Sequence, residues 1–531
     1  MGWIRKRALH LVIFSFGMLF TCHFIQAQGW PRIYGDNFHS LINDLCESYD
    51  KGFYLTAFTY NNQGVNKYGW IIKTDINGNI LWDKKFGDGN DRNWCGDSFM
   101  TIDQGLIIAG VTTKYSAGDF DPNFIKLNVC GEIEWCKVFH SSDDNYGTGI
   151  LQLEDGTYIG MLQYYGEGET YARISLVKMD QTGEPVWIQK LAQEDSLINN
   201  EDCSHLYLTT DNNYLVSGWA YHPASYPFWI MIDTIGEQIW DLFGDNFLGE
   251  AHQVIEKDSG IFYSTSYAIG DNGIQSPVLF KFNKFGELTG EYNLMGDTIV
   301  MGSCNPLACL NDSTLIIGVG WKEVPFPINE GFTEVFITDT LGNLINRRQF
   351  FDDEYTSLDN IILSSDHKIL AAGNFVVDGN FDIYLWKMNA NLEDDTLYSQ
   401  PHIYDSLCPY EIQSDTVDID CGVFVNIDEL PTKEEYESTI KISPNPARDW
   451  VVLTLPDVVA GGKVELAVLD IFGRELVPGK QRDKEFVRRG EQEPVNRMVL
   501  LNVADYPAGM YIAIVRDQKG RRYTCKFLVS K

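Results

Sequence analysis

Hydrophobic residues in this chain form short runs separated by polar turns, and one short phrase returns throughout the sequence. Its first copy runs from Asp75 through Gly78 to Trp82, with apolar residues on both sides. An Asp or Asn that bonds its own backbone, followed by a Gly with positive φ, is typical of the turn in a β-hairpin. The phrase therefore predicts a hairpin that carries a Trp on its second strand.

The phrase recurs at a period of about fifty residues, and a second apolar phrase alternates with it. Copies of the hairpin phrase, some without the Gly or the Trp, begin at Asp75, Asn128, Asp180, Asp233, Asn283, Asp339 and Asn389. Each unit accordingly has four short strands, which is typical of a propeller blade. A solenoid is disfavoured because its coils are usually shorter. We predict an all-β chain with a seven-bladed β-propeller over residues 29–398.

A segment before the first unit resembles the Trp-bearing strand of the repeat. It runs from Trp30 to Gly35 and matches the strand that begins at Trp82. We expect it to complete the last blade, because this pairing joins the two ends of the ring and removes an exposed sheet edge.

One polar residue stands at an equivalent place on the first strand of every unit, among Leu, Ile and Val. These residues are Asp44, Asp97, Thr148, His205, His252, Asn305 and Asp359. The first strand of a blade faces the central channel, so the seven side chains predict a polar ring at the channel mouth. The ring either meets water or binds a cation or polar ligand. No cofactor is firmly indicated; calcium is the metal that such oxygen-rich groups suit.

Charge divides the chain into two parts. The sequence has 41 basic and 74 acidic residues, and the acidic excess lies before residue 436. Such a surface repels nucleic acid and anionic membranes and favours cations or neutral ligands.

The first 28 residues have the order of a secretory signal peptide. Arg5, Lys6 and Arg7 precede an apolar run, and the small residue Ala27 follows it. The run is short for a membrane span, and no later stretch is long and apolar enough to cross a bilayer. We therefore expect an exported chain whose mature form has no transmembrane segment.

Cysteines in an exported chain can form disulfides. Cys130 and Cys136 flank one hairpin phrase, and Cys408 and Cys421 bracket a short loop after the last repeat. We expect a bridge within each pair, and we interpret residues 399–437 as an acidic linker that contains the second bridge. No C-x-x-C pair or H-E-x-x-H motif is present, so a zinc site is not indicated.

Residues 438–531 are mildly basic and begin a new set of alternating strands. They contain a Pro-Asn-Pro box, a Gly-Arg turn, a Pro-Ala-Gly-x-Tyr segment and a terminal Lys, in that order. The residues of these motifs are Pro444, Asn445, Pro446, Gly473, Arg474, Gly509, Tyr511 and Lys531. With these motifs the tail resembles the C-terminal sorting domain of type IX secretion cargo.

The resemblance implies that the tail is a small Ig-like β-sandwich recognised by the type IX secretion machinery. It also implies export across both membranes of a Gram-negative cell, followed by release or by attachment to the cell surface. The alternating apolar and polar residues of 450–455 agree with a sheet that is buried on one face.

The sequence favours a binding role over catalysis. It has no nucleophile elbow, P-loop or dinucleotide fingerprint, although a glycosidase or lyase needs only a few residues that folding brings together. Several loop aromatics either stack on sugar rings or pack in the core, namely Tyr164, Tyr165, Tyr221, Tyr226, Phe228 and Trp321. We interpret the chain as a secreted or cell-surface binding protein for an unknown protein or glycan. A carbohydrate-active enzyme and a structural surface component are the alternatives.

Overall fold

The computed structural model describes residues 29–61, 66–116, 119–140, 144–165, 171–191, 200–221, 224–233, 236–244, 248–269, 273–296, 300–323, 332–351, 356–377, 379–425, 440–455, 464–470, 474–476, 498–516 and 522–531. Within these ranges the chain forms 37 strands and no helix. Consequently, none of the described residues belongs to a helix long and apolar enough to cross a bilayer. The predicted leader, residues 1–28, and Gly473 lie outside the described residues.

Seven antiparallel sheets occupy the described part of the chain up to residue 388, and nearly every strand pairs with its neighbours in sequence. The seventh sheet also contains the N-terminal strand β1 (Arg32–Tyr34). Sheet 1 comprises β2 (His39–Glu47), β3 (Phe53–Tyr60), β4 (Asn66–Thr74) and β5 (Ile80–Phe86). Sheet 2 comprises β6 (Asn93–Met100), β7 (Leu106–Thr112), β8 (Asp121–Leu127) and β9 (Ile133–His140). Sheet 3 comprises β10 (Tyr146–Gln152), β11 (Tyr158–Tyr164), β12 (Arg173–Met179) and β13 (Pro185–Lys190).

The remaining sheets repeat this arrangement. Sheet 4 comprises β14 (Asn200–Leu208), β15 (Tyr214–Tyr221), β16 (Ser225–Ile232) and β17 (Gln238–Phe243). Sheet 5 comprises β18 (Leu248–Asp258), β19 (Ile261–Ile269), β20 (Gln275–Asn283) and β21 (Leu288–Asn293). Sheet 6 comprises β22 (Val300–Asn311), β23 (Thr314–Glu323), β24 (Phe332–Asp339) and β25 (Leu344–Phe350). Sheet 7 comprises β26 (Asn360–Leu363), β27 (Ile369–Val377), β28 (Asn380–Met388) and β1.

The first strands of the seven sheets contact one another in a closed cycle. The contacts run from β2 to β6, β10, β14, β18, β22 and β26, and β26 contacts β2 again. The two ends of this part of the chain also meet, because β1 pairs antiparallel with β28 and places Ile33 opposite Tyr384. The pairing predicted for the segment after Trp30 is therefore confirmed.

The repeated phrase forms the predicted hairpins. In the first copy, Asp75 Oδ1 accepts hydrogen bonds from the backbone N–H groups of Asn77 and Asn79, both at 2.8 Å. Gly78 follows with φ of 74° and donates its N–H to the carbonyl of Asp75. A side-chain acceptor and a residue that tolerates positive φ together fix the turn, which is why the phrase recurs.

Buried ion pairs support several sheets from within. Lys73 Nζ lies 2.5 Å from Asp50 Oδ1, and both side chains are buried. Lys126 makes the corresponding contact with Asp103, where only the lysine is buried. Burial lowers the pKa of Lys73, against the opposing effect of the Asp50 carboxylate. The lysine two residues before the hairpin phrase is thus a structural element of the repeat.

Residues 395–425, which we call the strap, pack against sheets 1 and 2. Within the strap, β29 (Asp415–Val417) pairs in parallel with β5, and β30 (Gly422–Val425) pairs in parallel with β9. The described part of the predicted linker is therefore held along two sheet edges. Residues 426–439 lie outside the described residues.

The predicted disulfide pairing is wrong, although the four cysteines are the right ones. Cys130 bonds Cys408, and Cys136 bonds Cys421. Cys130 lies in the hairpin turn while Cys136 lies on β9 opposite Ile125, so the two are at different heights along the hairpin. The strap runs beside this hairpin and brings its own cysteines to each of those heights.

The C-terminal region has two sheets around one hydrophobic core. The first comprises β31 (Lys441–Ser443), β32 (Trp450–Thr454) and β35 (Met498–Asn502). The second comprises β33 (Glu465–Asp470), β34 (Glu475–Leu476), β36 (Gly509–Arg516) and β37 (Arg522–Val529). Leu453 and Leu501 of the first sheet share a buried cluster with Val468, Ala513 and Phe527 of the second.

Candidate functional site

The first strands surround a cavity of about 640 Å³, which is the candidate site. Six of the seven residues of the predicted polar ring line it, namely Asp44, Asp97, Thr148, His205, Asn305 and Asp359. The structure thus brings together side chains that are far apart in sequence and that occupy equivalent places in successive units.

His252 is the exception, because it is not among the residues that line the cavity. Its ring lies 6.1 Å from the ring of Tyr267, and burial lowers its pKa to about 4. The register of β18 shifts between Ala251 and Val254. His252 and Gln253 of β18 therefore lie opposite a single residue of β19. As a result, the neighbouring Gln253 lines the cavity in place of His252.

Irregular pairing at the same height in the first strands explains how polar side chains point into the cavity. The register shifts lie between Ile42 and Asp44, Cys95 and Ser98, Gly147 and Gly149, Cys203 and His205, Ala251 and Val254, and Cys304 and Leu307. Such bulges interrupt the ladder and redirect a side chain. They also leave backbone N–H groups that need a partner from outside the strand.

Side chains of the neighbouring sheet supply those partners. Asp44 Oδ2 accepts hydrogen bonds from Ser98 N at 3.0 Å and from Ser98 Oγ at 2.6 Å. Asp97 Oδ2 accepts a hydrogen bond from Ile150 N at 2.8 Å. These carboxylates therefore connect sheet 1 to sheet 2 and sheet 2 to sheet 3.

The same connection continues around the cycle with other residue types. His205 Nδ1 accepts from Val254 N at 3.3 Å, and Gln253 Oε1 accepts from Leu307 N at 2.7 Å. Asn374 Oδ1 accepts from Ile42 N at 2.9 Å and joins sheet 7 to sheet 1. Sequence reasoning missed Gln253 and Asn374, since neither stands at the aligned position.

The acidic side chains of the cavity hold their protons more tightly than usual. Burial raises the pKa of Asp44, and burial together with the nearby Asp44 charge raises that of Asp97 well above its ordinary value. Burial and the charge of Glu250 raise the pKa of Asp202 to about 6. Burial raises that of Asp359 to about 6, against hydrogen bonds from its neighbours that favour the carboxylate.

The rest of the cavity wall is uncharged. No Lys or Arg lines the cavity within the described part of the chain. Burial lowers the pKa of His205 to about 4, so its imidazole is neutral near pH 7. Thr148 Oγ1 lies 2.8 Å from Cys203 Sγ, which places a hydroxyl and a buried thiol on the same wall.

Aromatic rings form one side of the cavity and continue beyond it. Trp94 and Tyr146 line the cavity, with ring centroids 6.1 Å apart. We call the connected half-buried rings the aromatic row: His39, Tyr60, Phe58, Trp94, Phe120 and Tyr146. Arg92, which precedes β6, stacks on Phe120 with 4.3 Å between its guanidinium carbon and the ring centroid.

The loop aromatics singled out from the sequence divide into two groups. Tyr164 and Phe228 are buried in the core, whereas Tyr221 is exposed. Trp321 stacks on Phe332 at 4.5 Å and lines a separate cavity of about 330 Å³. The rings that face the main cavity, Trp94 and Tyr146, were not recognised from the sequence because they lie at the starts of strands.

No metal centre is preformed in the described ranges, where no group of three or more His, Cys, Asp or Glu side chains is placed to hold an ion. Acidic loop residues form turns of their own: in the loop after sheet 1, Asp88 accepts hydrogen bonds from the backbone N–H and the side-chain amide of Asn90. Two carboxyl groups of the cavity wall are likewise engaged, since Asp44 and Asp97 accept hydrogen bonds from backbone N–H groups.

Two of the motif segments of the C-terminal region contact its last strand. Asn445 Oδ1, between Pro444 and Pro446, accepts a hydrogen bond from Leu528 N at 2.8 Å. The Tyr511 ring stacks on Phe527 and its hydroxyl bonds the carbonyl of Pro507. The remaining described motif residues are Arg474, which pairs with Asp470, Gly509, which opens β36 opposite Val529, and Lys531, which bonds the Ala504 carbonyl.

Comparison with known proteins finds likeness in structure alone. Neither a protein-family model nor a curated protein matches this chain. Extracellular domains 1-2 of Drosophila semaphorin 1b are 8% identical, with a TM-score of 0.41 over 67% of this chain and 86% of that chain. Synechocystis apocarotenoid oxygenase is 9% identical, with a TM-score of 0.34 over 59% of this chain and 91% of that chain. A glucose dehydrogenase is 11% identical, with a TM-score of 0.30 over 55% of this chain and 95% of that chain. At these scores the likenesses carry no inference about function.

Proposed function

We propose that this chain is an exported binding protein, built as a seven-bladed β-propeller with a ligand site at its centre and a C-terminal sandwich that directs export. The closed cycle of contacts from β2 to β26 supports the propeller, because axis-facing strands meet their counterparts in neighbouring blades. The shared core of the two C-terminal sheets supports the sandwich. The two disulfides agree with an extracellular location.

The observation that carries the binding role is the central cavity itself. Six side chains from equivalent places in different sheets converge on it. Its volume of about 640 Å³ lies within the range of small-molecule sites, roughly 300–1,000 Å³. An open cavity with aromatic faces and a few convergent polar groups is the usual form of such a site.

Thermal unfolding of the exported protein tests this role. The midpoint is measured with calcium chloride, with chelator, and with a panel of oligosaccharides and peptides, since a ligand that binds only the folded state raises it. We expect a shift that Trp94→Ala abolishes and that Trp321→Ala leaves unchanged. The binding role fails if no compound gives a shift that depends on Trp94.

The C-terminal region is proposed as the signal for type IX secretion. The support is that the motif segments at Asn445 and Tyr511 both contact the last strand, β37, so they meet in one part of the C-terminal fold. In a host with this secretion system, deletion of residues 438–531 should keep the protein inside the outer membrane, and fusion of those residues should export a reporter. Export of the truncated protein would contradict the proposal.

A carbohydrate-active enzyme is the second candidate, because two cavity carboxyl groups are suited to proton transfer. The pKa values of Asp202 and Asp359 are both about 6, and a glycosidase needs one carboxyl group that keeps its proton near neutral pH. Release of reducing ends from polysaccharides, lost in Asp202→Asn or Asp359→Asn while ligand binding persists, would favour this candidate. Unchanged substrate over prolonged incubation would favour binding alone.

A further inference from the structure

We infer that the central cavity binds the end of an uncharged oligosaccharide, whose sugar rings pack on Trp94 and Tyr146 and whose hydroxyl groups bond the surrounding amide and carboxyl side chains. This inference rests on the proposed binding function and names the ligand class for the same cavity.

The aromatic faces of the cavity are held in place by further rings. Phe58 lies 5.2 Å from Trp94, and Phe120 lies 6.5 Å from Trp94 and 5.6 Å from Tyr146, between ring centroids. A ring supported on one side loses little conformational freedom when a ligand packs on the other. The C–H faces of sugar rings are flat apolar surfaces that suit such contacts.

The polar groups of the wall suit hydroxyl groups. Amide side chains are frequent among the lining residues: Asn43, Gln163, Gln253, Asn305 and Asn360. An amide offers both a donor and an acceptor, as a sugar hydroxyl does. Asp202 and Asp359 also line the cavity and add carboxyl oxygens that accept hydrogen bonds from hydroxyl groups.

The charges around the cavity favour a neutral ligand over an ionic one. A uronic acid or a sulfated sugar would face several carboxyl groups without a lining Lys or Arg among the described residues. Within the described part of the chain a cation finds no preformed group of ligating side chains, and Asp44 and Asp97 already accept hydrogen bonds from neighbouring sheets. The wall therefore offers hydrogen bonds in many directions but no compact centre of available negative charge.

The extent of the aromatic row indicates a chain of sugars rather than one. The row continues from Trp94 through Phe58 to Tyr60, which stacks on His39 at 4.6 Å. Phe58, Tyr60 and His39 are not among the residues that line the cavity. Sugar units beyond the first can pack on these rings, while the terminal unit enters the cavity.

Isothermal titration of the exported full chain tests the inference. The probes are β-1,4-linked hexaoses of glucose, mannose, xylose and N-acetylglucosamine, with hexagalacturonate as the anionic probe and spermidine as the cationic probe. At least one neutral hexaose should bind, and Trp94→Ala should weaken its binding by about tenfold or more. Trp94→Phe, which retains a ring, should bind more tightly than Trp94→Ala, and Trp321→Ala should match the unaltered protein. Tyr146→Ala provides an independent test if Trp94→Ala fails to fold.

Each outcome decides the ligand class. Tight binding of spermidine that is lost in Asp97→Asn, or preferred binding of hexagalacturonate, overturns the inference. Absence of binding by every neutral hexaose overturns it as well. The proposed binding function can still hold after any of these outcomes. It holds if a peptide or another compound shifts the midpoint of thermal unfolding and the shift depends on Trp94, so failure of the inference and failure of the proposed function are distinguishable.

Discussion

The indole ring of Trp135 lies on Gly183 of the next sheet, so closely that a Cβ added to Gly183 would stand 2.5 Å from Trp135 Cε3. The same relationship joins Trp82 to Gly131. The two most regular residues of the repeated phrase therefore contact each other between neighbouring sheets, and not within one hairpin. Gly286 makes the same contact with Trp240, so these hairpin turns each pack against a Trp of the preceding sheet.

Replacement of Gly183 by Ala should lower the free energy of unfolding by about 1–3 kcal/mol, because the methyl group overlaps the Trp135 indole. Gly183 also has φ of 78°, which disfavours any side chain. Gly273→Ala is the matched control, since Gly273 has φ of 73° but no atom of the described residues lies within 4 Å of an added Cβ. Urea unfolding compares the two variants. Equal losses in the free energy of unfolding would show that the positive φ alone, and not the overlap with Trp135, causes the destabilisation.

Replacement of Lys73 by Met should be among the most destabilising changes in sheet 1. Lys73 and Asp50 are 0% and 2% exposed, and an uncompensated buried carboxylate costs about 3–5 kcal/mol. Lys137→Met is the control, because its partner Glu184 is 54% exposed and such surface pairs contribute at most about 1 kcal/mol. Chemical unfolding should separate the two variants clearly. A similar loss in both would contradict the burial argument.

Peptide mapping of the unreduced protein should find Cys130 linked to Cys408 and Cys136 linked to Cys421. Replacing Cys136 and Cys421 together by Ser should lower the free energy of unfolding by about 2–4 kcal/mol. It should also expose the strap to proteases. Cys309→Ser, at a free and partly buried thiol, is the control. A peptide that links Cys130 to Cys136 would contradict the pairing.

The Asp359 carboxyl group should make the fold more stable at mildly acidic pH. Its pKa is 3.8 ordinarily and about 6 in the folded protein, so between these values the folded state binds more protons than the unfolded state. Stability due to this group therefore falls as pH rises from about 4 to about 6 and is constant above that.

Removal of the ionisable group tests this dependence. Asp359→Asn should raise the free energy of unfolding at pH 8 by about 1–2 kcal/mol and have little effect at pH 4. The same substitution at Asp241, which is exposed, serves as the control. The measurement is the thermal midpoint across this pH range. A variant effect that is larger at pH 4 than at pH 8 would have the wrong sign.

Local patterns in the sequence were sufficient to predict much of this fold. The hairpin at Asp75 depends on residues within its own turn, and the match between the segments at Trp30 and Trp82 was enough to predict the pairing of β1. The alignment of units also placed Asp44, Asp97 and Asp359 on one cavity, because equivalent places in a repeat adopt equivalent positions.

Features that depend on register or on distant segments were not predictable in this way. A shift of one residue in β18 exchanges His252 for Gln253 at the cavity, and single-residue bulges leave no clear signal in sequence. The disulfide partners of Cys130 and Cys136 depend on the path of the strap along β5 and β9. That path is fixed by contacts across 278 and 285 residues of sequence.

The pairing of β1 with β28 has a consequence for the order in which the molecule can be completed. Ile33 is among the first described residues to be synthesised, yet its partner Tyr384 lies on β28 of sheet 7 and follows only after sheets 1 to 6 have been translated. A chain that stops before β26 therefore leaves β1 without the strand that it pairs with and β2 without its contact to β26. The cycle of sheets can therefore close only when all the repeats are present. An incomplete chain retains open sheet edges, which promote aggregation or degradation.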